Sequence, residues 1–268
     1  MTQYNTSASL YFTLAFTWSF VFWFLTTRLG GLNELPGSLI FYVAGAGPFL
    51  VALALVHLRE SKAEQKSLWV RTFDPRLMSE FWLLVALLIH PLLVAIAGAV
   101  DIALGGEFQT RNVPSEAWPW LTMAVAVFVL GPLPEEMAWR GVALDRLQNK
   151  FSPLLASILL GSAWALWHVP LFFIEDGFHH QLGFASPRFW IFLATMVPLS
   201  IIMTWVYNHT NRSVLSAVLI HFTGNMCGAL IHKTDQMAAL ELLALSIAAL
   251  LIWARSRDLG YRKLADLS

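Results

Sequence analysis

The sequence predicts an all-α protein: a polytopic membrane helix bundle of about eight transmembrane helices, with both termini in the cytoplasm. Three observations carry this. First, the 268 residues are 57% hydrophobic and only 13% charged, where a soluble domain carries about 25% charged residues. Second, the apolar residues fall into long runs, and a helix needs about 20 such residues to cross a bilayer. Third, Lys and Arg concentrate on alternate connections. With Arg140 counted in the group that includes the termini, thirteen lie on that side and four (Arg28, Arg111, Arg188 and Lys233) on the other. Positive residues stay cytoplasmic.

The expected spans are 9–27, 38–57, 81–103, 117–147, 153–173, 188–208, 213–232 and 236–254. The first is not a cleavable signal, because no Lys or Arg precedes Arg28 and the run is long enough to span. Polar or turn-rich stretches separate the spans: Gly30 to Asn33, Glu60 to Glu80, Gly105 to Pro114, Glu175 to Gln181, Asn208 to Arg212 and Lys233 to Asp235. Spans 81–103 and 188–208 are interrupted by Pro91 and Pro198. Segment 58–80 mixes five basic residues with Leu68, Trp69, Phe73 and Leu77. It reads equally as a helix lying flat at the interface or as a charged connection. Nothing divides the chain, so 1–268 is expected to be a single integral-membrane domain. Zero net charge gives no basic field for nucleic acid. A lone Cys227 excludes an internal disulfide framework.

Ionisable groups inside the apolar runs carry the functional signal, because each must be paired, face a wet cavity or do chemistry. Glu136 and Arg140 are four residues apart, on one helix face and in the favourable order for an ion pair. Glu135 is rotated by about 100° from Glu136, so the two carboxylates have different tasks. Glu136 is expected to be held by Arg140 while Glu135 faces a cavity, where a desolvated carboxylate is a suitable general base for water. Acidic residues after Pro134 also suit a helix N-terminus. Against that reading, Glu135 lies some 14 residues before the end of its span at Asn149, or ~21 Å.

Trp164 and His168 share a face of another run, as do His221 and Asn225 of a third. An indole beside an imidazole orients it and excludes water. Two convergent donors form an oxyanion hole. Singly, these residues also fit interhelical hydrogen bonding. Together they form a hydrolytic set with no Ser or Cys nucleophile.

These residues also resemble the motifs of the CAAX protease and bacteriocin-processing family of intramembrane endopeptidases. Glu135-Glu136-x-x-x-Arg140 is similar to its EExxxR motif. His168 resembles its FxxxH motif, with Trp164 in place of Phe, and His221 with Asn225 its HxxxN motif. The resemblance implies a catalytic core about 115–232. It implies that Glu135 activates water with help from His168, that His221 and Asn225 stabilise the oxyanion, and that Glu136 and Arg140 organise the site. Trp164 is expected to border the substrate. The implied substrate is a membrane-anchored protein or peptide, prenylated in the eukaryotic members, reached here from the cytoplasmic side of a bacterial plasma membrane.

A glutamate and two histidines also suit zinc. No His-Glu-x-x-His is present, and the resemblance favours a metal-independent glutamate mechanism, so no cofactor is expected. Two rivals remain: a proton-coupled transporter, and a non-catalytic immunity or scaffold protein. Against the first, the sequence shows no pair of broken helices at matching places in two halves. Other polar residues are read as structural: His90 at the Pro91 kink, Glu175, Asp176, His179 and His180 in a solvated loop, and Asp101 and Glu241 at wet span ends.

Overall fold

The computed structural model describes residues 5–111 and 116–261. The start of the expected core at 115, and the outer ends of both termini, lie outside the described residues. The chain is helical throughout, with one two-stranded ribbon that the sequence reading did not foresee. In order come α1 (Ala8–Arg28), α2 (Leu35–Gly45), α3 (Gly47–Arg59), α4 (Lys62–Phe73), α5 (Glu80–Ala103), β1 (Gln109–Thr110), α6 (Ala117–Leu130) and α7 (Pro132–Ala138). A π-helical turn (Trp139–Leu144) leads into α8 (Asp145–Gln148). Then follow α9 (Pro153–His168), a 3-10 turn (Val169–Phe173), α10 (Phe178–Leu182), α11 (Pro187–His209), α12 (Val214–Leu230), β2 (Ile231–His232) and α13 (Asp235–Arg255).

The starts of these helices follow from their caps. Ser7, Ser61, Ser152, Ser186 and Thr234 each accept a hydrogen bond from the backbone N–H three residues on, satisfying a donor the helix leaves orphaned. Pro153 and Pro187 follow two of these caps, where the missing N–H of proline is harmless. Gly161 lets α9 and α11 touch: a Cβ there would sit 2.8 Å from the Met196 carbonyl oxygen.

Six helical stretches are long and apolar enough to cross a membrane, among them Ala117–Gln148 as one unit. The pair α2 and α3, bent by 48°, makes a seventh if taken as one span. The remaining expected span corresponds to α12, which has 17 residues, or ~25 Å at the standard rise. Two spans are therefore broken, at Ala46 and at Gly131. Both breaks lie in the first half of the chain. Exposed side chains such as Phe24, Leu84, Leu121, Leu166, Trp190 and Leu250 cover the outside of the bundle, as hydrocarbon requires.

The polar contacts sort into two ends. At the end near the termini, Arg146 bonds Glu60 at 2.7 Å and Thr6 Oγ1 at 2.7 and 3.0 Å. There too, Asp145 holds Arg71 at 2.9 Å, Tyr207 Oη at 2.8 Å, and Arg212. Asn208 reaches the Leu259 carbonyl at 3.2 Å. Segment 58–80 is thus anchored: α4 buries Leu68 and Arg71 against the core and turns Trp69 and Phe73 outward. At the opposite end, β1 pairs with β2, Arg188 bonds the Lys233 and Thr234 carbonyls at 2.8 Å, and Asn33 bonds Asp176. The segments that the charge count groups together are the ones that touch.

Candidate active site

The site is built where the long span 117–148 breaks. Gly131, with Pro132 and Pro134 close behind, ends α6 and starts the short α7. Glu135 and Glu136 follow, and the π-helical turn begins at Trp139. Single π-turns inside helices recur at functional sites because they re-aim side chains.

Glu136 and Arg140 are fully buried, with Arg140 Nη1 2.8 Å from Glu136 Oε2 and 3.1 Å from Oε1. His221 on α12 places Nδ1 2.9 Å from Glu136 Oε1. The Arg140 guanidinium also lies 4.9 Å from the centre of the Trp164 ring, a cation–π contact. Glu136 and Arg140 form a packed ion pair behind the cavity wall, and His221 links it to the cavity.

Glu135 points the other way. Its Oε2 accepts the Trp164 indole N–H at 2.9 Å. Trp164 also fixes His168: the His168 Nδ1 lies 2.8 Å from the Trp164 carbonyl. A carbonyl only accepts, so Nδ1 carries a proton and Nε2 is the other, basic nitrogen when the ring is neutral. The Trp164 and His221 rings are 5.1 Å apart. Glu135, Trp164, His168, His221 and Asn225 all line one cavity of about 520 Å³. A side chain added at Gly131 would place its Cβ 3.7 Å from Asn225 Nδ2 and 4.0 Å from Glu135 Oε1. The space between that carboxylate and that amide exists because residue 131 has no side chain.

Three polar groups were misjudged from sequence. His179 is not in a solvated loop: α10 folds it back, with its ring 5.4 Å from that of His168 and in the cavity wall. Glu241 is not at a wet end: it is buried, 3.2 Å from His90 Nε2 and 2.5 Å from Lys233 Nζ. Asp101 is likewise buried, next to Gly106. The missed signal was depth along the helix for Glu241, six residues into α13, and return of the chain after Phe173 for His179.

Arg111, Phe178, His179, Arg188 and Lys233 also line the cavity. All five belong to the end opposite the termini. Among the described residues no three His, Cys, Asp or Glu side chains converge as a metal set, and the carboxylate of Glu136 is already engaged by Arg140 and His221.

Residues 117–227 match the family model described as "Type II CAAX prenyl endopeptidase Rce1-like". The matched stretch covers less than half of the 268 residues. It contains all of the expected site residues, from Glu135 to Asn225. The chain is also 26% identical to "CAAX prenyl protease 2" of Methanococcus maripaludis, over 98% of this chain and 99% of the relative. These likenesses, together with the apolar helices, support an intramembrane peptidase acting on a membrane-associated protein.

Proposed function

We propose that the chain cleaves a peptide bond of a membrane-anchored protein or peptide, using water activated by Glu135 and His168. The observation that carries this is the double use of Trp164. Its indole N–H holds Glu135 and its carbonyl holds His168, so one residue sets two proton acceptors on the wall of one cavity. Water lodged there gives a proton to Glu135 as its oxygen attacks the scissile carbonyl carbon. The C–O bond forms, the carbonyl electrons move to oxygen, and a tetrahedral oxyanion results. Donors placed where charge develops are the largest single contribution in such reactions. The Asn225 amide is one. His221, whose Nδ1 bonds Glu136 Oε1, is the second, through the Nε2 edge of its ring. Collapse breaks the C–N bond, and the proton held by Glu135 passes to the leaving amine. Glu136, Arg140 and His221 balance charge behind the reacting atoms.

No step requires a metal. The apolar wall from Ile191 to Leu199 on α11 suits a lipidated or apolar segment. The substrate enters at the end marked by Arg111, Arg188 and Lys233.

The test is cleavage of lipidated, membrane-anchored peptides by the purified protein, followed by mass spectrometry of both fragments. Wild type is expected to cleave and Glu135→Gln to lose at least about 100-fold, the low end of general-base contributions. Equal cleavage by the two would defeat the assignment.

A further inference from the structure

The same cavity holds a second polar group that the reaction scheme does not use. His90, in the middle of α5, is 6% exposed and lines the cavity. Its Nε2 is 3.2 Å from Glu241 Oε1 on α13, and Lys233 holds the other oxygen of that carboxylate. The ring is therefore fixed from behind by an ion pair between buried Glu241 and the partly exposed Lys233. Its opposite edge presses on α12 at Gly224. A Cβ added there would meet His90 Nδ1 at 2.2 Å and Cε1 at 2.3 Å, distances that no real contact adopts. Gly224 lies between His221 and Asn225 in sequence, the two residues assigned to the oxyanion. Three helices meet at this point, since α5 packs on both α12 and α13.

We propose that His90, braced by Glu241 and Lys233, is a positioning residue that sets the depth of α12 and so the placing of His221 and Asn225 over the scissile carbonyl. This inference rests on the peptidase reading given above. Its physical basis is that oxyanion donors must sit within tenths of an ångström of where charge develops. A displacement of about 1 Å costs up to about 100-fold in rate. A glycine contact fixed by a charged pair is stiffer than one fixed by apolar packing alone, because sliding it would strip a buried carboxylate of its partners.

The experiment measures kcat and KM separately on the purified full chain, with melting temperature and Glu135→Gln as controls. His90→Ala lowers kcat on the order of 10-fold or more while KM changes less than about 3-fold, the pattern of a contact felt in the transition state. His90→Gln, whose amide N–H still reaches Glu241, recovers most of the loss. Gly224→Ala loses kcat because its Cβ meets the ring, and His90→Ala in that background restores part of it. A His90→Ala enzyme with wild-type kcat, or a Gly224→Ala defect that His90→Ala does not relieve, would overturn the proposal. If wild type and Glu135→Gln prove equally inactive, the peptidase reading fails. The brace is then read from ¹⁵N spectra of labelled histidine: His90→Ala must shift the His221 ring nitrogens, and unchanged signals overturn it.

Discussion

Trp164 donates its indole hydrogen to Glu135 at 2.9 Å while its ring faces the Arg140 guanidinium at 4.9 Å. The one side chain separates the two acidic neighbours: Glu135 stays on the cavity side and the Glu136–Arg140 pair on the buried side. The split between a working and a structural carboxylate, expected from their 100° rotation, is thus maintained by a third residue.

Trp164→Phe removes that hydrogen bond. It also trims a ring that is 1% exposed, so some packing goes with the donor. A hydrogen bond to a charged group contributes about 1.5–3 kcal/mol, and the cavity water replaces part of it. Cleavage is expected to fall roughly 3- to 10-fold, and the melting temperature to fall with the lost packing. A loss as large as that of Glu135→Gln would show that the indole does more than orient.

Glu136→Gln should behave differently from Glu135→Gln. It leaves Arg140 buried beside a neutral amide, and breaking a buried ion pair costs about 3–5 kcal/mol. The expected result is a lower melting temperature together with lost cleavage, whereas Glu135→Gln keeps the wild-type melting temperature. Calorimetry of both variants in one detergent decides it; equal stability would remove the structural role given to Glu136.

The membrane bundle was legible because hydrocarbon imposes one rule, long apolar helices, and the sequence obeys it. The boundary of α1 falls within a residue of the apolar run Ser9 to Thr27. The pairing of Glu136 with Arg140 was also legible, since i,i+4 spacing on a helix is local geometry. The convergence of α7, α9 and α12 was supported only by three polar pairs appearing together, not by any distance. What sequence could not show are contacts between remote segments. His90 meets Glu241 across 151 residues, and α10 returns His179 to His168. The bond from His221 to Glu136 was also invisible: spacing suggested His221 as an oxyanion donor, not as a partner of the ion pair.

Gly131→Ala tests the gap between Glu135 and Asn225. Its Cβ would sit at ordinary contact distances of 3.5 to 4.0 Å from its neighbours, so folding should survive. The methyl occupies space a water or carbonyl needs. Cleavage is expected to fall by about 10-fold or more, consistent with the sensitivity of rate to placement, and Gly131→Val should fall further. Full activity in Gly131→Val would mean the reaction occurs elsewhere in the cavity.

Acid should loosen the end near the termini. Burial pushes the Glu60 carboxyl up, but the Thr6 hydroxyl, the Asn5 amide and Arg146 together hold it below its ordinary value. A carboxylate lowered in the folded state adds stability above its unfolded value, near 4.5, and loses it as pH falls through the folded value. Glu60→Gln is therefore expected to destabilise at neutral pH, by about 1–3 kcal/mol for an interrupted buried network. The difference from wild type should shrink below about pH 4.5 and vanish in stronger acid. Melting curves across pH 3 to 7 check this; a gap that is constant with pH would rule out the charge as its source.

The orientation of the molecule in the membrane can be tested directly. The cavity-lining residues Arg111, Arg188 and Lys233 account for three of the four basic residues on their end of the molecule. Lys and Arg outside the cavity are thus even more one-sided than the whole count. The bias predicts termini in the cytoplasm, and the end that carries Arg111, Arg188 and Lys233 is then predicted to lie on the other side. Single cysteines at Glu175 and Arg257, in a Cys227→Ser background, should react with an impermeant maleimide from opposite faces of intact cells or vesicles. Arg257→Cys is expected to label from the cytoplasm and Glu175→Cys from outside. Labelling of both from one face would break the two-ended arrangement. Labelling of Glu175→Cys from the cytoplasm and Arg257→Cys from outside would mean that the cavity-lining cations and the fold override the charge rule, and would bring cytoplasmic lipid-anchored proteins within reach of Glu135.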